Sequence, residues 1–150
     1  MPKAYTDGAC RISNPGLCSC AFVLYDDQYK EKYSVSVYLG PELHTNNYAE
    51  YKGLLTCLQV LYYMQLKGVD IYCDSKLVVQ QSLGKWKVNE EALKPLASEA
   101  FGLIAAGGHR LHHIAGHNGD LGNERADALC NACLDAHMEE YYASIAKALA

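Results

Sequence analysis

Asp7, Glu50, Asp74 and Asp127 are the residues through which this chain could do chemistry. Asp7 ends a short β-type run, Tyr5-Thr6-Asp7-Gly8, at the kind of strand end where α/β proteins place their sites. Asp74 ends a second run, directly before Ser75. Glu50 falls in the first turn of a long helical pattern that follows Thr45-Asn46-Asn47. Asp127 lies early in a last helix, after a loop bearing His117. Like charges placed together are costly unless something neutralises them. Hard Mg²⁺ prefers carboxylate oxygens, so four carboxylates from four elements could hold two ions roughly 3.5–4 Å apart, as in two-metal phosphoryl transfer. Each residue also has an ordinary alternative. Asp-Gly is a common turn, Asp74 could be a helix-entry acid, Glu50 could answer the helix macrodipole, and Asp127 could be a surface residue.

The elements that must position them follow from periodicity. Residues 2–9 read as a first strand and Arg11 to Gly16 as a turn. Leu17 to Tyr25 is a continuous apolar run, the mark of a strand buried on both faces. After a hairpin at Asp26-Asp27-Gln28, Tyr33, Val35, Val37 and Leu39 alternate with polar positions, as in a half-buried antiparallel strand. Ala49, Gly53, Leu54, Cys57, Leu58, Leu61 and Met64 recur at helical spacing through about Lys67, with Gly68 closing the helix. Val69 to Cys73 is a strand, and Ser75 opens a helix through about Leu83. A helix from Glu90 to about Ala106, with Pro95 in its first turns, is broken by Gly107-Gly108. Arg110 to Ala115 is a fifth strand, and a helix runs from about Leu121 to the C-terminus. This order implies one α/β domain with a mixed sheet and helices packed on its faces. If the first and fourth strands are parallel neighbours, Asp7 and Asp74 lie side by side.

Composition narrows the function classes. With 150 residues, 50% hydrophobic and 20% charged, the chain suits a single domain, 1–150, with a real core. The net charge of −4 argues against binding nucleic acid by bulk charge, but not against a site where metal ions supply the positive charge. No basic-then-apolar leader opens the chain, and no apolar run reaches the ~18 residues of a membrane span. A cytoplasmic protein without a membrane partner is expected. The seven cysteines, an odd number without a secretion signal, read as reduced thiols that mostly pack the core. Cys130-Asn131-Ala132-Cys133 spells C-x-x-C but has no companion metal-ligand pair, and core packing is the better reading. Tyr62, Tyr63, Tyr141 and Tyr142 could line a partner surface, but amphipathic packing with the hydroxyl at the surface is the better reading.

Several stretches, in order, resemble the motifs of type 1 ribonuclease H. They are Thr6-Asp7-Gly8-Ala9-Cys10, Thr45-Asn46-Asn47-Tyr48-Ala49-Glu50, Cys73-Asp74-Ser75, and Gly116-His117-Asn118-Gly119 with Asn123-Glu124-Arg125-Ala126-Asp127. The interval from His117 to Asp127 also matches, and the resemblance spans about residues 3–137. It implies a ribonuclease H-like α/β fold: a five-stranded mixed sheet, its first three strands antiparallel, with helices on both faces. It implies endonucleolytic hydrolysis of the RNA strand of RNA/DNA hybrids, leaving 5′-phosphate and 3′-hydroxyl ends. By similarity, Asp7, Glu50, Asp74 and Asp127 hold two Mg²⁺ or Mn²⁺ ions. Asp7 is shared, Asp127 serves the ion that activates water, and Glu50 and Asp74 serve the ion at the leaving 3′-oxygen. His117 takes the position of a mobile histidine that helps proton transfer or product release. The backbone of Gly8, Ala9 and Cys10 and the side chain of Asn46 contact the RNA strand, and Thr45 and Asn47 the DNA strand.

The chain also departs from that pattern. Lys76 stands where many members carry a glutamine that contacts RNA, and lysine cannot accept a hydrogen bond. The turn at Arg11-Ile12-Ser13-Asn14 is one residue longer, so the family's asparagine contact falls only approximately at Asn14. Of the basic, Trp-rich handle found in some bacterial members only Gly84-Lys85-Trp86-Lys87 remains. Trp86 either contacts a DNA backbone or caps the core, and weak, distributive engagement of substrate is expected. Residues 138–150 extend the last helix beyond the resemblance, without an assigned role. A monomer is expected. Two other readings stay open: the same site with a range widened to duplex RNA, and a non-catalytic hybrid-binding module. Retention of all four carboxylates and His117 weighs against the second.

Overall fold

A computed structural model describes residues 1–116 and 119–150. Five strands form one sheet: β1 (Lys3–Arg11), β2 (Leu17–Tyr25), β3 (Glu31–Tyr38), β4 (Asp70–Cys73) and β5 (Arg110–His113). Their spatial order is β3-β2-β1-β4-β5. The pairs β1–β2 and β2–β3 are antiparallel, and β1–β4 and β4–β5 are parallel. Four α-helices accompany them: α1 (Asn46–Tyr63), α2 (Lys76–Ser82), α3 (Lys94–Gly107) and α4 (Leu121–Leu149). The expected five-stranded mixed sheet, antiparallel in its first three strands, is the sheet observed.

Helices cover the sheet on two faces, and side-chain alternation shows how. Ala4, Phe22, Leu24 and Ile71 pack with Leu54, Leu55, Leu58 and Leu61 of α1 in the larger core, to which α2 and α3 add Val78, Ala97 and Ala100. Tyr5 and Val23, on the other face, pack with Ala126 of α4. Strand β2 lies between both layers and is buried from Leu17 to Leu24, which explains its unbroken apolar run. At about 25 cal/mol per Å² of apolar area, this two-sided burial is the main stabilising contribution to the sheet.

Several boundaries differ from expectation, each for a local reason. Arg11 belongs to β1 rather than to the turn, because it pairs with Leu17 and its guanidinium is held by α4. Helix α1 ends at Tyr63, not near Lys67. Gln65 takes φ 58°, and the Leu66 and Gln65 N–H groups close a Schellman cap on Leu61 and Tyr62. Gly68 serves the next turn instead. Residues Glu91–Leu93 form a 3₁₀ turn before α3 begins at Lys94 with Pro95 beside it, so the proline starts the helix and does not kink it. Strand β5 stops at His113.

The cysteines hold one correction. Cys10 and Cys18 face each other across β1 and β2 and are joined by a disulfide. Cys20, Cys57, Cys73, Cys130 and Cys133 are free, and all but the half-buried Cys133 are buried, so the C-x-x-C does pack as expected. The tyrosines hold another: Tyr62, Tyr63 and Tyr142 are exposed along the ring and not only at the hydroxyl, with Tyr62 edge-on to Tyr63 and Tyr142 against Tyr141.

Candidate active site

The parallel pairing of β1 with β4 sets the site. Thr6 lies opposite Cys73, so Asp7 is level with Asp74. Asp74 directly follows β4, but Asp7 sits in the middle of β1 and not at its end as expected, because β1 goes on pairing with β2 as far as Arg11. Glu50 arrives from α1. Thr45 caps that helix by accepting the Tyr48 N–H at 3.2 Å. Two glycines let α1 lie directly on the strand. A Cβ on Gly8 would stand 2.3 Å from the Ala49 carbonyl carbon, and one on Gly53 2.4 Å from the Asp7 oxygen. The close backbone approach at Gly8 is thus to helix α1, which brings Glu50 against Asp7. Asp127 arrives from α4. Asp120 caps that helix through the Gly122 and Asn123 N–H groups, and Gly122 sits flat on the Tyr5 ring. Arg11 grips Asn131 and Asp135 on the same side of α4, and Ser19 donates to the Cys130 oxygen at 2.8 Å. These contacts hold Asp127 in the same cleft as Asp7, beside the middle of β1.

Asp7, Gly8, Asn46, Asn47, Glu50, Asp74, Ser75 and Asp127 line one cleft of ≈ 320 Å³. Asp7 is 5% and Glu50 9% exposed. The Gly8 N–H donates to Asp7 Oδ1 at 2.9 Å and also to Glu50 Oε1. Burial pushes the Asp7 carboxyl up; the hydrogen bonds from Glu50 and Gly8 oppose this, while the Asp74 and Asp127 charges add to it. Glu50 is held well above the usual carboxylate range, first by burial and then by Asp7 and Asp74. Among the described residues, no lysine or arginine pairs with Asp7 or Glu50. Buried carboxylates whose charges oppose one another are an oxygen-rich donor set that a divalent cation stabilises, so the residues fit such an ion. Ligand atoms of Glu50, Cys73 and Asp74 lie within 4.8 Å of one another. Burial keeps the Cys73 thiol protonated, which leaves the oxygens as donors.

The residues expected at the substrate divide into groups. Gly8, Asn46 and Asn47 line the cleft with the carboxylates. Asn14 does not line it, but its Oδ1 accepts the Asn46 N–H at 2.9 Å. Thr45 spends its hydroxyl on the helix cap, and Ala9 and Cys10 continue β1, half-buried, with Cys10 in the disulfide. Lys76 and Trp86 stand together outside the cleft, with Nζ 5.9 Å from the ring centroid. Trp86 is 45% exposed and does not cap the core. His117 lies outside the described residues. Gly116 just before it touches Asp74, where a Cβ would stand 3.1 Å from Oδ2. Ser75 also lines the cleft, a role hidden by its evident service as the cap of α2, where it accepts the Val78 N–H. A larger groove of ≈ 540 Å³ between the ends of α1 and α3 is lined mainly by leucines and tyrosines and contains no carboxylate.

Comparison with known proteins agrees with this geometry. The RNase H family model matches residues 2–134. The chain is 33% identical over 146 residues to the ribonuclease H of Verminephrobacter eiseniae, covering 89% of this chain and 90% of that protein. It is 30% identical to the ribonuclease H of Bartonella bacilliformis, covering 93% of each. RNase H1 from Halobacterium salinarum superposes with a TM-score of 0.79 at 31% identity, over 90% of this chain and 98% of that one. LC11-RNase H1, solved in complex with an RNA/DNA hybrid, superposes with a TM-score of 0.80 at 30% identity, over 92% and 99%. With its motifs, sheet order and carboxylate cleft all in place, the chain belongs to the ribonuclease H family of hydrolases, as a type 1 member.

Proposed function

We propose that this protein cleaves the RNA strand of RNA/DNA hybrids endonucleolytically, leaving 5′-phosphate and 3′-hydroxyl ends. The observation that carries the reading is the convergence of Asp7, Glu50, Asp74 and Asp127 in one cleft with Gly8, Asn46 and Asn47. The hybrid held by LC11-RNase H1 supports the choice of substrate.

Two divalent ions, Mg²⁺ or Mn²⁺, would supply water activation and offset the charge that develops on the departing oxygen. Asp7, Glu50, Asp74 and Asp127 would hold them, with Asp7 contributing to both, Asp127 serving the ion that would activate water, and Glu50 and Asp74 serving the ion that would offset charge on the leaving group. Gly8 and Asn46 read the RNA strand through the sugar and phosphate, and the 2′-hydroxyl distinguishes RNA from DNA. Thr45 and Asn47 serve the DNA strand. His117, by family resemblance, handles the proton, a task for which histidine side chains are suited. Lys76 and Trp86 offer a charge and a ring to a backbone outside the cleft.

The test uses labelled RNA/DNA hybrid, duplex RNA and duplex DNA with Mg²⁺ or Mn²⁺, for the wild type and Asp7→Asn. Cleavage of RNA in the hybrid, lost in the variant, is expected. No cleavage by the wild type overturns the function, and cleavage that survives in Asp7→Asn overturns the site. Equal cleavage of duplex RNA shows the wider substrate range.

A further inference from the structure

Segment 12–16 between β1 and β2 is tied down at both ends and in the middle. Cys10 and Cys18 lie directly opposite each other in the β1–β2 register and are joined by a disulfide that closes the segment at its base. At its far side Gly16 exchanges two backbone hydrogen bonds with His44, at 2.9 and 3.0 Å. Between these, Asn14 Oδ1 accepts the Asn46 N–H at 2.9 Å. Asn46 in turn lines the carboxylate cleft. The segment therefore braces a residue that lines the cleft without lining it itself, and it does so under strain. Ile12 is β-branched yet sits at φ 78°, 58% exposed, a conformation that costs on the order of 1–3 kcal/mol and persists only where the surroundings enforce it. Loss of one tie lets such a segment relax.

We propose that Cys10 and Cys18 form a redox-sensitive clasp that holds Asn14 against Asn46, so that the oxidised protein grips the RNA strand better than the reduced one. The inference rests on the reading of Asn46 as an RNA-strand contact. Cys18 is buried, but Cys10 is half-buried, so a small oxidant reaches the pair through Cys10; of the free cysteines only Cys133 is similarly open, and it has no disulfide partner. The oxidant is a low-molecular-weight disulfide such as oxidised glutathione. The Cys10 thiolate attacks one of its sulfurs and releases a thiolate, forming a mixed disulfide. The Cys18 thiolate then attacks Cys10 Sγ and releases the second thiolate. In total two protons and two electrons leave the protein, and the oxidant becomes two thiols. A dithiol reverses the reaction. The carboxylates take no part, so the effect falls on substrate binding.

The test compares wild type oxidised by glutathione disulfide with wild type reduced by dithiothreitol, each state verified by alkylation mapping and intact mass. Reduction is expected to raise KM for a labelled hybrid about three- to tenfold, the worth of one or two positioning hydrogen bonds, with kcat little changed. Cys18→Ser and Cys18→Ala should keep the KM of the reduced protein under both conditions, while Cys133→Ser keeps the redox response. Amide exchange of residues 11–17 and 44–46 should quicken on reduction, a readout independent of hydrolysis. Equal KM in the two verified states, a loss confined to kcat, or a redox response that survives in both Cys18 variants overturns the clasp. If neither state cleaves the hybrid, the proposed function fails, and unchanged amide exchange then overturns the clasp separately.

Discussion

Asp7 and Glu50 share one backbone donor. The Gly8 N–H lies 2.9 Å from Asp7 Oδ1 and also donates to Glu50 Oε1, so two buried carboxylates divide a single hydrogen bond. Neither is ion-paired with lysine or arginine among the described residues. The pair is therefore a local cost to the metal-free fold, carried for the sake of the site. Asp7→Asn and Glu50→Gln should each lower hydrolysis by at least about 10³-fold, the loss of several kcal/mol of charge stabilisation. The same variants should stabilise the metal-free chain by about 1–3 kcal/mol. Urea unfolding in chelator checks the second effect, and a destabilised Asp7→Asn would contradict it.

Metal addition should act in the opposite direction. An ion that binds the folded cluster and not the unfolded chain raises stability with its concentration. Titration with Mg²⁺ or Mn²⁺ should raise the Tm of the wild type, and the response should be largely lost in Asp7→Asn. A Tm rise of the same size in the variant would place the ion elsewhere.

Gly8 and Gly53 should resist substitution although neither sits at positive φ. In Gly8→Ala the new Cβ would stand 2.3–2.5 Å from backbone atoms of Ala49 and Glu50, and in Gly53→Ala 2.4 Å from the Asp7 oxygen. Backbone cannot swing aside as a side chain can, so each variant should lose about 2–4 kcal/mol and most of its activity. Gly102→Ala in α3 is the control, with nothing within 4 Å of its Cβ, and should gain about 0.5–1 kcal/mol from helix propensity. Thermal melts of the three variants decide.

At the far end of the parallel strands, Asp70 accepts from Arg110 at 2.7 and 3.1 Å and contacts His112 Nε2 at 2.9 Å. Arg110 first, and His112 after it, hold the carboxyl at about 2 against a usual 3.8. A folded pKa below the unfolded one stabilises above about 3.8, and that contribution is lost as pH falls towards about 2. Asp70→Asn should cost about 1 kcal/mol near neutral pH, less than the shift alone implies because Arg110 is 45% exposed. The cost should vanish near pH 2. A cost independent of pH in paired unfolding curves would mean that packing, not charge, is involved.

The extension beyond the sheet should be dispensable for folding. Leu134 is the last buried residue of α4, and His137 stacks on Tyr38 at 3.9 Å. Truncation after His137 should change stability by less than about 1 kcal/mol and leave hydrolysis intact. A larger loss would reveal packing by residues 138–150.

The amino-acid sequence by itself determined the elements, their order and the four carboxylates. Those features rest on local periodicity, on caps such as Thr45 and Ser75, and on motifs that survive as spacing along the chain. It could not show that Arg11 extends β1, since the cause is a guanidinium clasped by a helix 120 residues later. Nor could it show that Gly8 meets α1, because that contact depends on where the helix crosses the strand. Cys10 and Cys18 looked like two more core thiols until the β1–β2 register placed them opposite each other. Trp86 had two readings, which only its exposure beside Lys76 separated. Tertiary structure alone decided how Asp7 and Glu50 share one N–H. Such a relationship is a matter of ångströms between Gly8 and Glu50, 42 positions apart, and local pattern carries no information about it.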